Sequence, residues 1–328
     1  MPETGNKPFL LVTMDTEGDD LWSGSREIGT RNARLLPRFQ ALCERYSLRP
    51  TWLVSYEMAV APAFVEFARD VLERKAGEIG MHLHAWNTPP PHPLSGADHA
   101  GQPYLTEYPD RVMEEKIGFM TALLEDTFQA AVASHRAGRW GFDARYARML
   151  AARGYLVDCS VTPHVSWRRY PGAPGGSGGP DFRGFPERSY FLDRDDISRE
   201  GDLPLLEVPV TIVRRGGAAR RAAAAAVAWN PLLARALDRA SRPVSWLRPN
   251  GRNRLDMAAI LEDTFDRGKD YAEFMLHSSE LMPGGSPRFR TAESVEALYR
   301  DIEYLFDAAA GRFRGSTLRE YHAWHAAR

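Results

Sequence analysis

Two pairs of polar side chains have spacings that suit metal chemistry. His82 and His84 stand two residues apart at the end of an apolar run, and Asp15 and Glu17 have the same spacing after another one. Because alternate residues of a strand point to the same side, each pair would share one face. A catalytic zinc ion typically takes three protein ligands and leaves one position for water. Two histidines and one carboxylate meet that count, and the second carboxylate remains free to act as a base.

The elements that would position these residues alternate between strands and amphipathic helices. Such an order indicates parallel βαβ units. In a closed α/β barrel the carboxyl ends of the strands meet on the face that carries the active site, and in an open sheet they meet at a switch point. The predicted strands are 9–12, 51–54, 78–84, a short one ending near residue 136, 155–158, 203–213 and 274–276. The predicted helices are 32–46, 62–76, 110–130, 143–154 and 291–310.

The composition of the 328 residues is that of a globular protein, with 44% hydrophobic and 26% charged residues. It excludes a disordered chain, and the net charge of -1 argues against a dedicated nucleic-acid binder. The two cysteines, Cys43 and Cys159, cannot form a disulfide framework and favour a reducing compartment. We find neither a secretory signal nor an apolar run long enough to span a membrane, so the expected location is the cytoplasm.

Five short motifs, in their order along the chain, resemble those of the NodB-homology polysaccharide deacetylases (carbohydrate esterase family four), in particular the WalW-type branch. The resemblance implies a distorted (β/α) barrel of seven strands in one domain, 1–328. It also implies removal of an N-acetyl group from a sugar with one divalent metal ion, in the biosynthesis of a cell-surface polysaccharide such as O-antigen or capsule. Zinc is the favoured ion, although iron(II) suits the same ligands. The motifs are Leu11–Glu17, Glu78–His82, His135–Trp140, Tyr155–Ser160 and Leu276–Glu280.

The first two motifs assign the metal site by resemblance. They imply that Asp15 is the catalytic base and that Glu17 is a ligand, in an acid-x-acid form of the family's usual adjacent pair. They also imply that His82 is the first imidazole ligand. Where the family has a second histidine four residues further on, this chain has Trp86, so His84 would supply the second imidazole.

The remaining motifs imply supporting roles. Arg136 would hold the catalytic aspartate, because a nearby cation lowers the pKa of a carboxyl group and orients it. Asp158 would support the catalytic histidine. His277 would be the general acid, since a pKa near 6.5 suits proton donation to a leaving amine. The residues expected to bind the substrate are Trp86, Arg139 and Trp140.

Residues 165–265 match nothing in the family's core and are interpreted as an insertion rich in Gly, Ala and Arg. Within it, residues 214–254 contain ten arginines and one aspartate, a net charge of +9. A basic amphipathic helix can lie on an anionic membrane surface, and arginine can equally bind phosphate. The expected substrate is therefore an N-acetylated sugar linked to a nucleotide or a lipid phosphate, with peripheral contact at the inner membrane as one option. A solvated helical insertion is the other.

Plainer interpretations stay open for these motifs. The histidine pair could be unrelated residues, the acidic pair could belong to a turn before Gly18, and Arg136 could form a surface salt bridge. A related amidohydrolase (a deformylase or cyclic-amide hydrolase) could use the same site. However, such enzymes usually carry His-x-His on the first strand, and here it comes about 65 residues after the acidic pair. A catalytically inactive protein that binds metal or carbohydrate is the alternative of a different class.

Overall fold

The computed structural model describes residues 7–23, 27–214, 218–227, 229–230, 232–233 and 244–328. Strands and helices alternate along most of it. The strands are β1 (Phe9–Thr16), β2 (Thr51–Val54), β3 (Glu78–Leu83), β4 (Ser134–Ala137), β5 (Val157–Asp158), β6 (Tyr190–Phe191), β7 (Leu206–Glu207), β8 (Ile212–Arg214), β9 (Val244–Trp246), β10 (Tyr271–His277) and β11 (Arg314–Ser316). The helices are α1 (Leu36–Arg45), α2 (Tyr56–Ala59), α3 (Pro62–Glu73), α4 (Asp98–Gly101), α5 (Asp110–Phe128), α6 (Ala144–Ala152), α7 (Ala218–Val227), α8 (Arg254–Asp266), α9 (Ala292–Ala309) and α10 (Leu318–Ala326).

One curled sheet forms the centre of the molecule. Seven strands lie side by side in the order β10-β1-β2-β3-β4-β5-β7, and each pairs in parallel with the next. β6 adds an antiparallel edge strand next to β7, and β11 pairs with the beginning of β1. The arrangement is a half-barrel, so the predicted α/β barrel-like fold is confirmed.

The segment after β7 crosses from β5 towards β10. The Val210 amide donates to the carbonyl of Val161, which follows β5, and the Glu273 amide of β10 donates to Thr211 Oγ1. Together with β7, this segment forms part of the barrel wall although it lies within the stretch 165–265, which the sequence suggests is an insertion. Part of that stretch therefore belongs to the barrel itself.

The two faces of the sheet bury different layers. On β1, Leu10, Val12 and Met14 pack beneath the surrounding helices, whereas Phe9 and Leu11 belong to a separate cluster inside the barrel. Leu318 and Tyr321 of α10 join that inner cluster at the amino-terminal ends of the strands. Along the same inward face, the side chains become polar at Thr13 and Asp15, so the chemistry lies at the carboxyl ends of the strands.

Helix ends follow the local sequence signals. The Asp143 side chain caps α6 by accepting a hydrogen bond from the Tyr146 amide, as its position before the helix predicts. Thr291 caps α9 in the same way through the Ser294 amide. The helix predicted over 32–46 begins instead as a 3-10 turn over Arg31–Leu35. Within the residues described, no helix is both long and apolar enough to cross a bilayer.

Candidate metal centre

Glu17, His82 and His84 come together as three buried ligand groups. His84 Nε2 lies 3.0 Å from Glu17 Oε2, and His82 Nε2 lies 3.5 Å from the same oxygen. One ligand atom from each residue lies within 4.8 Å of the other two. Two imidazole nitrogens and one carboxylate form a donor set that suits a catalytic zinc ion with an open coordination position. The residues present therefore fit a divalent metal.

The strand β3 and its neighbour β4 orient the two imidazoles. Ile79, Met81 and Leu83 pack on the helix side of the sheet, which turns His82 towards the inside. His82 Nδ1 lies 3.0 Å from the Arg136 carbonyl oxygen. Donation of the Nδ1 proton to that carbonyl directs Nε2 towards Glu17, the arrangement that metal-binding histidines use.

Gly138 leaves room for the His84 ring. A Cβ atom at this position would lie 2.5 Å from the Leu83 carbonyl oxygen and 2.8 Å from His84 Nδ1. Because both distances are shorter than real Cβ contacts, any side chain here would displace the backbone of β3 or the imidazole. The absence of a side chain at Gly138 is therefore part of how the site is built.

The backbone of Glu17 is tied to a turn that follows β10. Ser278 Oγ donates to the Glu17 carbonyl at 2.9 Å and accepts from the Glu17 amide at 3.0 Å. Burial alone would raise the pKa of the Glu17 carboxyl, but the charge of His277 and hydrogen bonds from His82 and His84 lower it well below its usual value. The carboxylate is thus held in the ionised form that a cation requires.

Asp15 is one end of a buried chain of charges. Arg136 Nη1 donates to Asp15 Oδ1 at 2.6 Å, its Nη2 donates to Glu273, and its Nε donates to the Cys159 carbonyl. Burial opposes ionisation of Asp15, but the charges of Arg136, His82 and His277 together outweigh it, so the pKa of Asp15 is lowered. The sequence analysis missed Glu273. Its signal is a lone acid in an apolar strand, on the same face as His277.

His277 lies beside both acidic residues. It is the register partner of Asp15 on β10, with Nε2 3.6 Å from Asp15 Oδ2 and 3.7 Å from Glu17 Oε1. On the other side of the ring, Arg248 Nη2 donates to Nδ1 at 2.9 Å, and Glu280 Oε2 lies 3.4 Å away. Burial would raise the pKa of Glu280, but the Arg248 charge and hydrogen bonds from His277 lower it to about 2.

Asp158 does not support His277 in the way the sequence analysis expected. Its Oδ1 lies 2.5 Å from His135 Nδ1, and its carboxylate accepts from the Ser160 amide. The reason is strand alternation: Val157 and Cys159 point into the barrel, so Asp158 faces the surrounding helices. Within the described chain, the carboxylate next to His277 Nδ1 is that of Glu280. The sequence analysis missed this role, although Glu280 closes the motif that contains His277.

The three residues expected to bind substrate lie in different surroundings. The half-buried Trp86 ring packs against His84 with centroids 6.0 Å apart, and its buried Nε1 has no hydrogen-bond partner within the described residues. Trp140 is buried, and the Arg136 guanidinium carbon lies over its ring, 5.4 Å from the centroid of the Trp140 ring. Arg139 donates to loop carbonyls, including Gly101 at 2.9 Å.

Part of the basic segment 214–254 lies outside the described residues, including Arg215, Arg235, Arg239 and Arg242. The described part exposes large apolar side chains, with Trp229 and Leu232 each 76% and Leu233 47% accessible to solvent. Among the described arginines of this segment, Arg248 reaches the candidate site.

Comparison with known proteins gives matches in structure but not in sequence. No protein-family profile and no curated protein matches the chain. A protein described as a polysaccharide deacetylase from Mycobacterium smegmatis superposes with a TM-score of 0.54 at 15% identity, over 100% of this chain and 92% of the other. A glycoside hydrolase/deacetylase structure from Parabacteroides distasonis has a TM-score of 0.62 at 11% identity, over 99% and 73%.

The chain has a fold found in polysaccharide deacetylase structures. The fold is not restricted to them, because a 4-alpha-glucanotransferase from Thermococcus litoralis also superposes, with a TM-score of 0.52 at 11% identity. That match covers 97% of this chain and 40% of the other. The comparisons therefore establish the architecture, and the chemistry has to be argued from the side chains of the site.

Proposed function

We propose that the chain is a metal-dependent hydrolase that removes an N-acetyl group from a sugar, of the NodB-homology polysaccharide-deacetylase type. One observation carries the proposal: an Asp–Arg pair, a Glu-His-His cluster and a separate histidine converge at the carboxyl ends of neighbouring strands. Hydrolysis of an amide needs a base, an acid and a stabiliser of the oxyanion, and the site offers a group for each task.

Glu17, His82 and His84 are the residues that would hold the metal, with zinc as the favoured ion. When bound, a divalent ion supplies polarisation of the amide carbonyl and lowers the pKa of a coordinated water to about 7. The hydrogen bond between His82 and the Arg136 carbonyl keeps one imidazole aligned before the ion arrives.

Asp15 and His277 are the proposed base and acid. Asp15 is ionised and held by Arg136, so its free oxygen Oδ2 is available to take the proton of the attacking water. His277 Nε2 lies 3.6 Å from that oxygen, so the proposed base and the proposed acid face the same point of the site. His277 then delivers a proton to the departing amine, and acetate and an amino sugar are the products.

The proposed substrate is an N-acetylated sugar joined to a nucleotide or a lipid phosphate, as an intermediate of cell-surface polysaccharide biosynthesis. The arginines of 214–254 support a phosphate-bearing carrier. The exposed Trp229 and Leu232 next to these arginines support contact with an anionic membrane surface, as a peripheral protein of the cytoplasmic side.

The test is acetate release from a panel of N-acetylated sugars, by protein stripped with a chelator and by the same protein reloaded with zinc. We expect release after reloading only. Release of formate from N-formyl sugars with no acetate would instead assign a deformylase. Stoichiometric zinc binding without hydrolysis of any sugar in the panel would contradict the proposal and favour an inactive binding protein.

A further inference from the structure

A small cavity adjoins the candidate site on the side of Arg248. Its volume is about 220 Å³, and Trp167, Trp246, Arg248 and Arg288 are among the residues that line it. Typical small-molecule sites measure about 300–1,000 Å³, so this cavity suits one substituent of a larger substrate. Because Arg248 also contacts His277, a ligand in the cavity and a ligand at the metal centre would lie next to each other.

Arg248 is held in place before any ligand binds. Its carbonyl accepts from Asn253 Nδ2 at 2.8 Å, and its guanidinium bonds Glu280 as well as His277. The Arg248 Nε atom is buried and has no hydrogen-bond partner within the described residues. A buried donor without a partner is costly, and a ligand oxygen would satisfy it.

Arg288 brings a second guanidinium to the same cavity. It is an exposed residue and forms no ion pair with a carboxylate of the described chain. Asp256 also lines the cavity and has an interaction of its own. Glu280 compensates part of the Arg248 charge, and an anion between the two guanidinium groups could accept hydrogen bonds from both.

Two tryptophans form part of the cavity wall. The Trp167 ring stacks on Trp140 with centroids 6.0 Å apart and 21° between the planes, and Trp246 meets Trp167 at 6.4 Å. Both Trp167 and Trp246 remain partly exposed. Flat apolar surfaces beside a cationic pair suit a ligand with an anionic group next to a ring.

We propose that Arg248 and Arg288 bind a phosphoryl group of the substrate, which would make this cavity the subsite that selects phosphorylated sugars. The inference rests on the proposed deacetylase function and specifies its substrate class. Phosphate is favoured over a single carboxylate because two guanidinium groups match its charge and its several oxygens.

The experiment compares wild type with Arg288→Gln, because Arg248 also contacts His277 and its replacement would disturb the chemistry. The substrates are N-acetylglucosamine, its 1-phosphate, its UDP-linked form and N-acetylmuramic acid. We expect wild type to prefer a phosphorylated form, and Arg288→Gln to reduce kcat/KM for that form relative to N-acetylglucosamine by about 10-fold or more. Arg288→Lys should restore part of the preference. The control, Arg290→Gln, removes an exposed charge from the same loop and should change nothing.

A binding measurement separates this proposal from the deacetylase assignment. Calorimetric titration of N-acetylglucosamine 1-phosphate into wild type and Arg288→Gln needs no turnover. Weaker binding to Arg288→Gln supports the subsite even if no acetate is released. Equal binding to both proteins, equal losses on all substrates, or a preference for the muramic carboxylate would overturn it. A preference for the 1-phosphate or for the UDP form distinguishes a phosphomonoester from a nucleotide carrier.

Discussion

Two clusters of buried titratable residues lie on opposite faces of the same sheet, and they differ in what their histidines bond. The inner cluster comprises Asp15, Glu17, His82, His84 and His277. The outer cluster comprises His135, Tyr146, Asp158 and Glu207. In the inner cluster, Nε2 atoms of two histidines converge on one oxygen of Glu17. In the outer cluster, both ring nitrogens of His135 are occupied, by Asp158 at 2.5 Å and by the Tyr146 hydroxyl at 2.7 Å.

The charge states of the two clusters also differ: carboxyl groups of the inner cluster have lowered pKa values, whereas the Glu207 carboxyl of the outer cluster has a raised one. Cationic and hydrogen-bonding partners keep the pKa of Glu17 and Asp15 low despite burial. In the outer cluster, burial and the nearby Asp158 raise the pKa of Glu207 well above its usual value, and burial lowers the pKa of His135. The comparison teaches that buried His-carboxylate contacts alone do not mark a metal site. A metal site is marked by imidazole Nε2 atoms and a carboxylate that converge on one point, as in the inner cluster.

The largest expected effect is the loss of bound metal, which we expect from a substitution in the inner cluster and not from one in the outer cluster. Glu17→Ala should lose bound zinc and acetate release together, because it removes one of three ligands. Metal per chain, measured by mass spectrometry after dialysis, checks the first loss, and the deacetylase assay checks the second. Asp158→Asn is the matched control from the outer cluster and should keep both. A Glu17→Ala protein that retains one zinc per chain would contradict the ligand assignment.

Asp15→Asn should abolish turnover without loss of the metal. The amide keeps the shape of the side chain but cannot take a proton, so kcat should fall by about 10²–10⁴-fold. Zinc content and melting temperature should show that the site is intact. Normal turnover in this variant would show that Asp15 is not the base.

Asp158→Asn should change stability and not catalysis. Replacing the carboxylate weakens its bond to His135 and should cost about 1–3 kcal/mol in the free energy of unfolding. Urea denaturation measures that loss, and kcat below the melting temperature should match wild type. If kcat instead fell as far as in Asp15→Asn, the outer cluster would have a part in the reaction after all.

The smallest expected effect is a pH dependence in the outer cluster. The pKa of Glu207 is raised in the folded protein above the ordinary value of 4.5, so the folded state holds this proton more tightly than the unfolded state does. Its contribution to stability is therefore complete at low pH and is lost as pH rises through the folded pKa. Relative to wild type, Glu207→Gln should gain stability as pH increases above about 4.5. Urea denaturation at pH 5 and pH 8 checks the sign, and an unchanged difference would show that Glu207 ionises normally.

The sequence predicted the alternation of strands and helices, but it missed α8 and α10 and predicted one strand over 203–213 where the structure has β7 and β8. It predicted the residues that converge where spacing and strand ends were informative. Asp15 and His82 lie near the ends of strands whose other face is mostly apolar, and Glu17 and His84 follow two residues later, so alternation decided which side each pair shares. The same rule failed for Asp158, because apolar residues flank it on both sides and nothing local shows which face points inward. Spacing alone also could not reveal Arg248, which reaches His277 from a segment 29 residues earlier in the chain.

Glu273 illustrates a different limit. A charged residue inside an apolar strand has no motif, and its importance becomes visible only when Arg136 from β4 is seen between it and Asp15. Such a buried arrangement depends on contacts between strands far apart in sequence. Removing the Arg136 charge would leave two buried carboxylates without the cation that they share, which is why Arg136 belongs to both the fold and the site.

Acetate release by the zinc-reloaded protein, measured side by side for wild type, Asp15→Asn and Asp158→Asn, tests the central claim most directly. We expect acetate release by wild type and by Asp158→Asn, and none above background by Asp15→Asn. All three proteins should bind zinc. Equal release by wild type and Asp15→Asn, or no release by wild type from any N-acetylated sugar, would contradict it.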